Sequence, residues 1–104
     1  MIRCRYNKET YELWIDGHAG FAPTGEDIVC AGVTALEVAL DAWLAPRSNC
    51  VSHLGPGSAY FKGNADVADV MECIWQGLCL ISENYPGWCG CVLGCQNPFA
   101  TPGA

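Results

Sequence analysis

Positive charge is scarce in this chain: five Lys and Arg residues stand against eleven Asp and Glu in 104 residues, a formal net charge of −6. Five cations release too few counterions to hold a nucleic acid by its phosphates, so that class of partner is excluded and a basic or apolar one is favoured. Charged residues of both signs make up only 15 % of the chain and apolar residues 51 %, where about a quarter charged is usual. The excess implies apolar surface that meets a partner. There is no run of about 18 apolar residues to span a membrane, and no apolar stretch follows Arg3 and Arg5 as it would in a secretory signal. The expected location is therefore cytoplasmic. That expectation governs the eight cysteines, because in a reducing compartment an even count does not make a disulfide framework. Internal repeats are also missing, and the length suits one domain with a single core.

What is present is regular alternation. Ile2, Cys4 and Tyr6 alternate with Arg3 and Arg5, and Tyr11, Leu13 and Ile15 with Glu12, Trp14 and Asp16. This is the period of two that marks a strand, and Asn7-Lys8-Glu9 supplies the hairpin turn. From Asp27 the period becomes helical: Val29, Val33, Leu36, Leu40, Trp43 and Leu44 form a stripe with Glu37 and Asp41 off it, and Pro46 stops it. Residues 49–54 and 58–62 read as strands joined through Gly55-Pro56-Gly57. A second helix is expected from a cap at Asn64, with Val67, Met71, Ile74, Trp75, Leu78 and Ile81 spaced by three and four, until Asn84-Tyr85-Pro86-Gly87 ends it. Residues 88–94 read as a last strand, and 96–104 as a disordered tail rich in Pro, Gly and small residues. The expected fold is α+β, a two-layer sandwich of a small, mostly antiparallel sheet with two helices on one face, formed by residues 1–95. Trp43 and Trp75, on the helix stripes, are expected in the core or in a dimer contact.

The chemistry concentrates in Gly17-His18-Ala19-Gly20-Phe21-Ala22-Pro23-Thr24-Gly25-Glu26-Asp27-Ile28-Val29-Cys30. His18 closes a strand and Cys30 opens a helix, with a glycine-punctuated loop between them that can fold over and bring thiol and imidazole together. Asp27 is a good N-cap residue, which places Cys30 in the first turn, where free N–H groups and the helix dipole favour thiolate. Cys30 then serves as nucleophile and His18 as general acid and base. Thr34 lies one turn beyond Cys30 on the same face, where its hydroxyl can reach the thiol, the imidazole or a substrate. Each residue also has a plainer role: His18 as a strand-end histidine, Cys30 as a small buried side chain, Asp27 as a cap without any hold on the tautomer of His18.

These residues resemble a known family. Gly17-His18-Ala19, the loop with Gly20 and Gly25, and Asp27-Ile28-Val29-Cys30-Ala31-Gly32-Val33-Thr34-Ala35-Leu36 are similar to the signature of the ribosomal-processing cysteine proteases (Prp, also called YsxB-like), including the spacing from His18 to Cys30. Gly32 stands where alanine is usual and Thr34 where serine is usual. The resemblance implies a homodimeric cytoplasmic endopeptidase of Firmicutes and related bacteria, with no cofactor. Its substrate would be the N-terminal extension of large-subunit ribosomal protein number twenty-seven, cut after Phe in a Leu-Gln-Phe-Phe-Ala-like sequence. His18 and Cys30 would take the dyad positions, Asp27 and Thr34 supporting positions, and Gly17 and Gly20 the backbone requirements. Within the same class, a prophage-encoded relative would process a phage structural protein instead.

Other readings stay open. The same cleft could hold an extended peptide without cutting it. Cys89, Cys91 and Cys95, with Cys4 as a fourth donor, could seat zinc, although the spacing is not that of a ribbon or finger and buried or half-exposed thiols are the expectation, with no metal. Cys73 and Cys79 do not share a helix face, and Cys50 stands alone. His53 is a reserve candidate with no sequence link to Cys30. In the tail, Gln96-Asn97-Pro98-Phe99-Ala100 is similar to the expected cleavage sequence, and coincidence is the favoured explanation.

Overall fold

A computed structural model of the chain describes residues 1–23 and 25–94. The expected tail, with its Gln96–Ala100 stretch, and Cys95 lie outside the described residues.

The first hairpin joins β1 (Ile2–Asn7) to β2 (Glu12–Asp16), with Cys4 opposite Ile15 and Tyr6 opposite Leu13. The turn starts later than Asn7-Lys8-Glu9 suggests, because Asn7 completes the strand and its side chain organises the turn beyond it. Its Oδ1 accepts from the N–H groups of Glu9 and Thr10, at 2.9 and 3.3 Å.

The first helix, α1 (Ile28–Leu44), comes after the loop, and Pro46 lies just beyond its end. Val29, Val33, Leu40 and Leu44 are buried from it. The stripe is narrower than the sequence suggests. Leu36 is only partly buried, and Trp43 is 46 % exposed, with the Arg47 guanidinium stacked on its ring. Trp43 is thus outside the core, whereas Trp75 is inside it at 3 % exposure. A residue at the margin of a helical stripe turns outward when the neighbouring layer ends before reaching it.

Strands β3 (Val51–Gly55) and β4 (Ser58–Lys62) form the second hairpin. Asn64 caps a 3₁₀ turn, Ala65–Val67, by accepting the Asp66 N–H, and this turn leads directly into α2 (Ala68–Asn84). The last strand, β5 (Cys89–Leu93), closes a five-stranded sheet in the order β3-β4-β2-β1-β5. Neighbours in this sheet are antiparallel except β1 and β5, which run parallel. The parallel pair arises from α2, a crossover that carries the chain back along the sheet before β5 begins.

One face of the sheet carries the buried apolar residues of β1, β2, β4 and β5 and is covered by both helices. Leu13, Phe61, Leu40, Leu44, Met71 and Leu78 are fully buried between the layers, each stabilising the fold by about 1.5–3 kcal/mol relative to exposure. The helices approach closely where glycine faces a branched side chain. A Cβ on Gly32 would stand 3.3 Å from Ile81 Cδ1, and one on Gly77 would stand 3.0 Å from Leu36 Cδ1. Glycine in place of the alanine usual at position 32 therefore suits this helix crossing. A hydrogen bond of 2.6 Å from the Ser52 hydroxyl to Asp41 ties α1 to β3.

Candidate active site

β2 ends at Asp16, and Gly17 turns the chain out of the sheet. Gly17 has φ of +98°, and a Cβ there would collide with the Met1 carbonyl oxygen, so the position admits only glycine. Its N–H donates to the Gly57 carbonyl at 2.8 Å, docking the β3–β4 turn beneath the next residue, His18. The imidazole rests against Gly57 so closely that a Cβ on that glycine would lie 2.8 Å from His18 Nε2. Gly57 therefore shapes the seat of the histidine. In the sequence it reads only as half of a Gly-Pro-Gly turn; the turn is legible there, but not the residue it faces.

Asp27 organises the other side. As N-cap of α1 it accepts the Cys30 N–H through Oδ1 at 2.9 Å, and through Oδ2 it accepts the N–H groups of Phe21 and Ala22 at 3.0 and 3.4 Å. One carboxylate thus caps the helix and holds the loop to it. These backbone donors, Cys30 foremost, hold the Asp27 carboxyl below its usual range. Its contribution to stability is present above the unfolded carboxylate value and is lost as pH falls through the lowered folded one. Asp27→Asn keeps one acceptor oxygen and replaces the other by a donor, so the cap survives and the loop tether does not. The expected result is a helical spectrum like that of the parent, a flatter loss of stability on the acid side, and reduced peptide turnover. Equal turnover would leave Asp27 a cap alone.

Cys30, half-buried in the first turn of α1, has its sulfur 3.3 Å from the N–H of Ala19, a buried residue adjoining His18. The Ala19 N–H and the helix N-terminus thus both face the sulfur with partial positive charge. Phe21 anchors the loop from its outer side, edge-on to both Tyr85 and Trp88 with ring centroids 5.5 and 5.0 Å away. The end of α2 thereby supports the loop that carries the site.

Two cavities meet at these residues. One, of about 370 Å³, lies between α1 and the β3–β4 turn; the other, of about 1100 Å³, lies between α1 and the loop. His18, Cys30 and Thr34 line both, Gly17 lines the first, and Gly20 and Asp27 line the second. All six residues singled out from the sequence are thus brought to one groove. His53 is not: it lies beside Trp14 and Tyr60, away from both cavities. Glu37, which lies off the apolar stripe in the sequence, lines the smaller cavity, and burial pushes its carboxyl above the usual range. Its spacing of seven from Cys30 was the available signal, since residues two turns apart share a helix face.

A family model described as cysteine protease Prp matches residues 1–89. The chain belongs to the Prp family. It is accordingly a cysteine protease. Among solved structures, the essential ribosomal processing protease Prp from S. aureus, in complex with a covalently linked product peptide, superposes with a TM-score of 0.77 at 19 % identity, covering 90 % of this chain and 100 % of that one. The same S. aureus protease in complex with a substrate peptide gives 0.62 at 19 % identity, with 89 % and 97 % covered. SMU.848 from Streptococcus mutans gives 0.66 at 23 % identity, with 91 % and 93 % covered. At these identities the structural likeness establishes the α+β fold, and the family match carries the activity. No curated protein matches the chain. Among the described residues, no helix of this Prp is long and apolar enough to cross a membrane.

Proposed function

We propose that this Prp removes the N-terminal extension of large-subunit ribosomal protein number twenty-seven, cutting after Phe in a Leu-Gln-Phe-Phe-Ala-like sequence, with Cys30 and His18 as a catalytic dyad. The observation that carries this reading is the placement of Cys30, on a helix N-terminus, with an N–H on its sulfur and His18 on the wall of the same groove. The S. aureus relative bound to substrate and product peptides supports a peptide in this groove. The net charge of −6 suits a basic ribosomal-protein tail.

In the reaction the Cys30 thiolate attacks the carbonyl carbon after Phe, and N–H groups at the start of α1 stabilise the oxyanion. As the C–N bond breaks, His18 gives its proton to the leaving amine, and a thioester to Cys30 remains. His18 then takes a proton from water, the hydroxide adds to the thioester carbon, and the carboxylate product leaves as the thiolate returns. Substrate entry requires the 19–26 loop to shift, with Gly20 and Gly25 as its pivots. The protein acts in the cytoplasm as a homodimer in this reading, and exposed Trp43 on α1 provides apolar surface for pairing.

Mass-resolved digestion of a peptide containing Leu-Gln-Phe-Phe-Ala tests the proposal: a single cut after Phe is expected, and an intact peptide after long incubation overturns it. Thr34 separates hydroxyl from shape in the same assay. Thr34→Ser should cleave at close to the parent rate, while Thr34→Val loses roughly tenfold, the order of one hydrogen bond. Equal rates in all three would reduce Thr34 to a wall residue.

A further inference from the structure

Catalysis by Cys30 leaves unexplained a second group of thiols, held between β1, β5 and α2, none of which lines the groove. β1 and β5 run parallel with Cys4 directly beside Cys91 and Ile2 beside Cys89, so all three cysteines point from the same face of the sheet. Their sulfurs lie within 4.8 Å of one another. Cys4 and Cys89 are buried, at 3 % and 0 % exposure, and Cys91 is half-buried. Cys79, half-buried on α2, faces Cys91 from the helix packed over β5 and so offers a fourth sulfur beside the triad.

We propose that Cys4, Cys89 and Cys91, completed by Cys79, form a structural site for a thiophilic divalent cation, zinc in the first instance. A tetrahedral Zn–S₄ centre with Zn–S of about 2.3 Å sets its sulfurs about 3.8 Å apart, so the observed triad needs only a small contraction. Two buried thiols and one half-buried one within 4.8 Å, with no carboxylate among them, make a soft donor set, which selects zinc over magnesium or calcium. On binding, each S–H bond is exchanged for a Zn–S bond, the protons pass to buffer, and no electron is transferred. The ion would cross-link β1, β5 and α2 at one point. It would fasten the edge strand and the helix whose end carries Tyr85, one of the rings that hold Phe21. The ligand set differs from the one suggested by sequence spacing, since Cys79 from α2 replaces Cys95.

The test uses full-length protein in the Cys30→Ala background, so that the catalytic thiol cannot contribute, purified reduced and without chelator. Zinc content is measured directly, and Co²⁺ is then used as a spectroscopic probe. The expected result is one equivalent of zinc per chain, thiolate-to-cobalt charge transfer with the intense visible bands of tetrahedral Co²⁺, and a higher melting temperature with metal. Cys91→Ser and Cys79→Ser, at half-buried positions where folding can be checked by circular dichroism, should each weaken Zn²⁺ binding at least about a hundredfold, more than losing an outer partner does. Exposed Cys73→Ser should change nothing. Less than a tenth of an equivalent of zinc with no charge-transfer band overturns the proposal, as does undiminished binding in Cys91→Ser. Loss of zinc in Cys95→Ser but not in Cys79→Ser overturns the ligand set. Two missing titratable thiols in denatured, metal-free protein prepared without reductant, recovered on reduction, would replace the site with a disulfide and equally overturn it.

Discussion

Cys30→Ala is expected to lose peptide cleavage by at least roughly four orders of magnitude, because the hydroxyls that remain in the groove, Thr34 and Ser58, are far weaker nucleophiles than a thiolate. The fold should survive. The N-cap bond from Asp27 reaches the Cys30 backbone rather than its side chain, so the start of α1 does not depend on sulfur. What the substitution removes structurally is the acceptor for the Ala19 N–H. Leaving such a donor unpaired costs about 1–3 kcal/mol, which a domain of ordinary stability, about 5–15 kcal/mol, tolerates. Cys30→Ser keeps an acceptor there and should be nearer the parent in stability yet equally inactive, because a hydroxyl at neutral pH is a far weaker nucleophile than thiolate. The pair thus separates chemistry from packing. Turnover in Cys30→Ala at the parent rate, measured by mass-resolved peptide cleavage, would refute the nucleophile assignment.

His18→Ala is expected to reduce kcat by about two to four orders of magnitude, the range of general acid–base catalysis, with little change in melting temperature because the side chain is exposed. Alkylation of Cys30 near neutral pH should also slow if the imidazole helps to ionise the thiol. An unchanged alkylation rate with lost turnover would confine His18 to proton transfer, and unchanged turnover would remove it from the mechanism. Gly57→Ala provides an orthogonal check. It leaves the imidazole chemically intact while its new methyl, at a φ of +70°, pushes on Nε2. Reduced turnover in that variant would show that the seat of the ring matters as well as its presence.

The sequence by itself determined the elements that local chemistry writes plainly. The helix starting after Asp27 is legible from a cap residue next to an apolar stripe, and the front hairpin from strict alternation. The thiol and imidazole that line the groove, Cys30 and His18, were legible as candidates, because a helix N-terminus and a strand end are local features and both residues sit in one short segment. The family signature sits on that same segment, and the family match over residues 1–89 agrees with it. Other features depend on contacts between segments distant in the chain. The parallel placement of β5 beside β1 depends on where α2 crosses the sheet, and periodicity carries no information about strand direction. Trp43 lies outside the core and Glu37 lines a cavity because a helix's stripe says which residues share a face, while the width of the covering layer decides which of them are buried. Gly57 met His18, and Cys79 approached Cys91, only when folding brought separate elements of the chain together. Side-chain neighbours of that kind are set by tertiary packing, which has no counterpart in local sequence pattern.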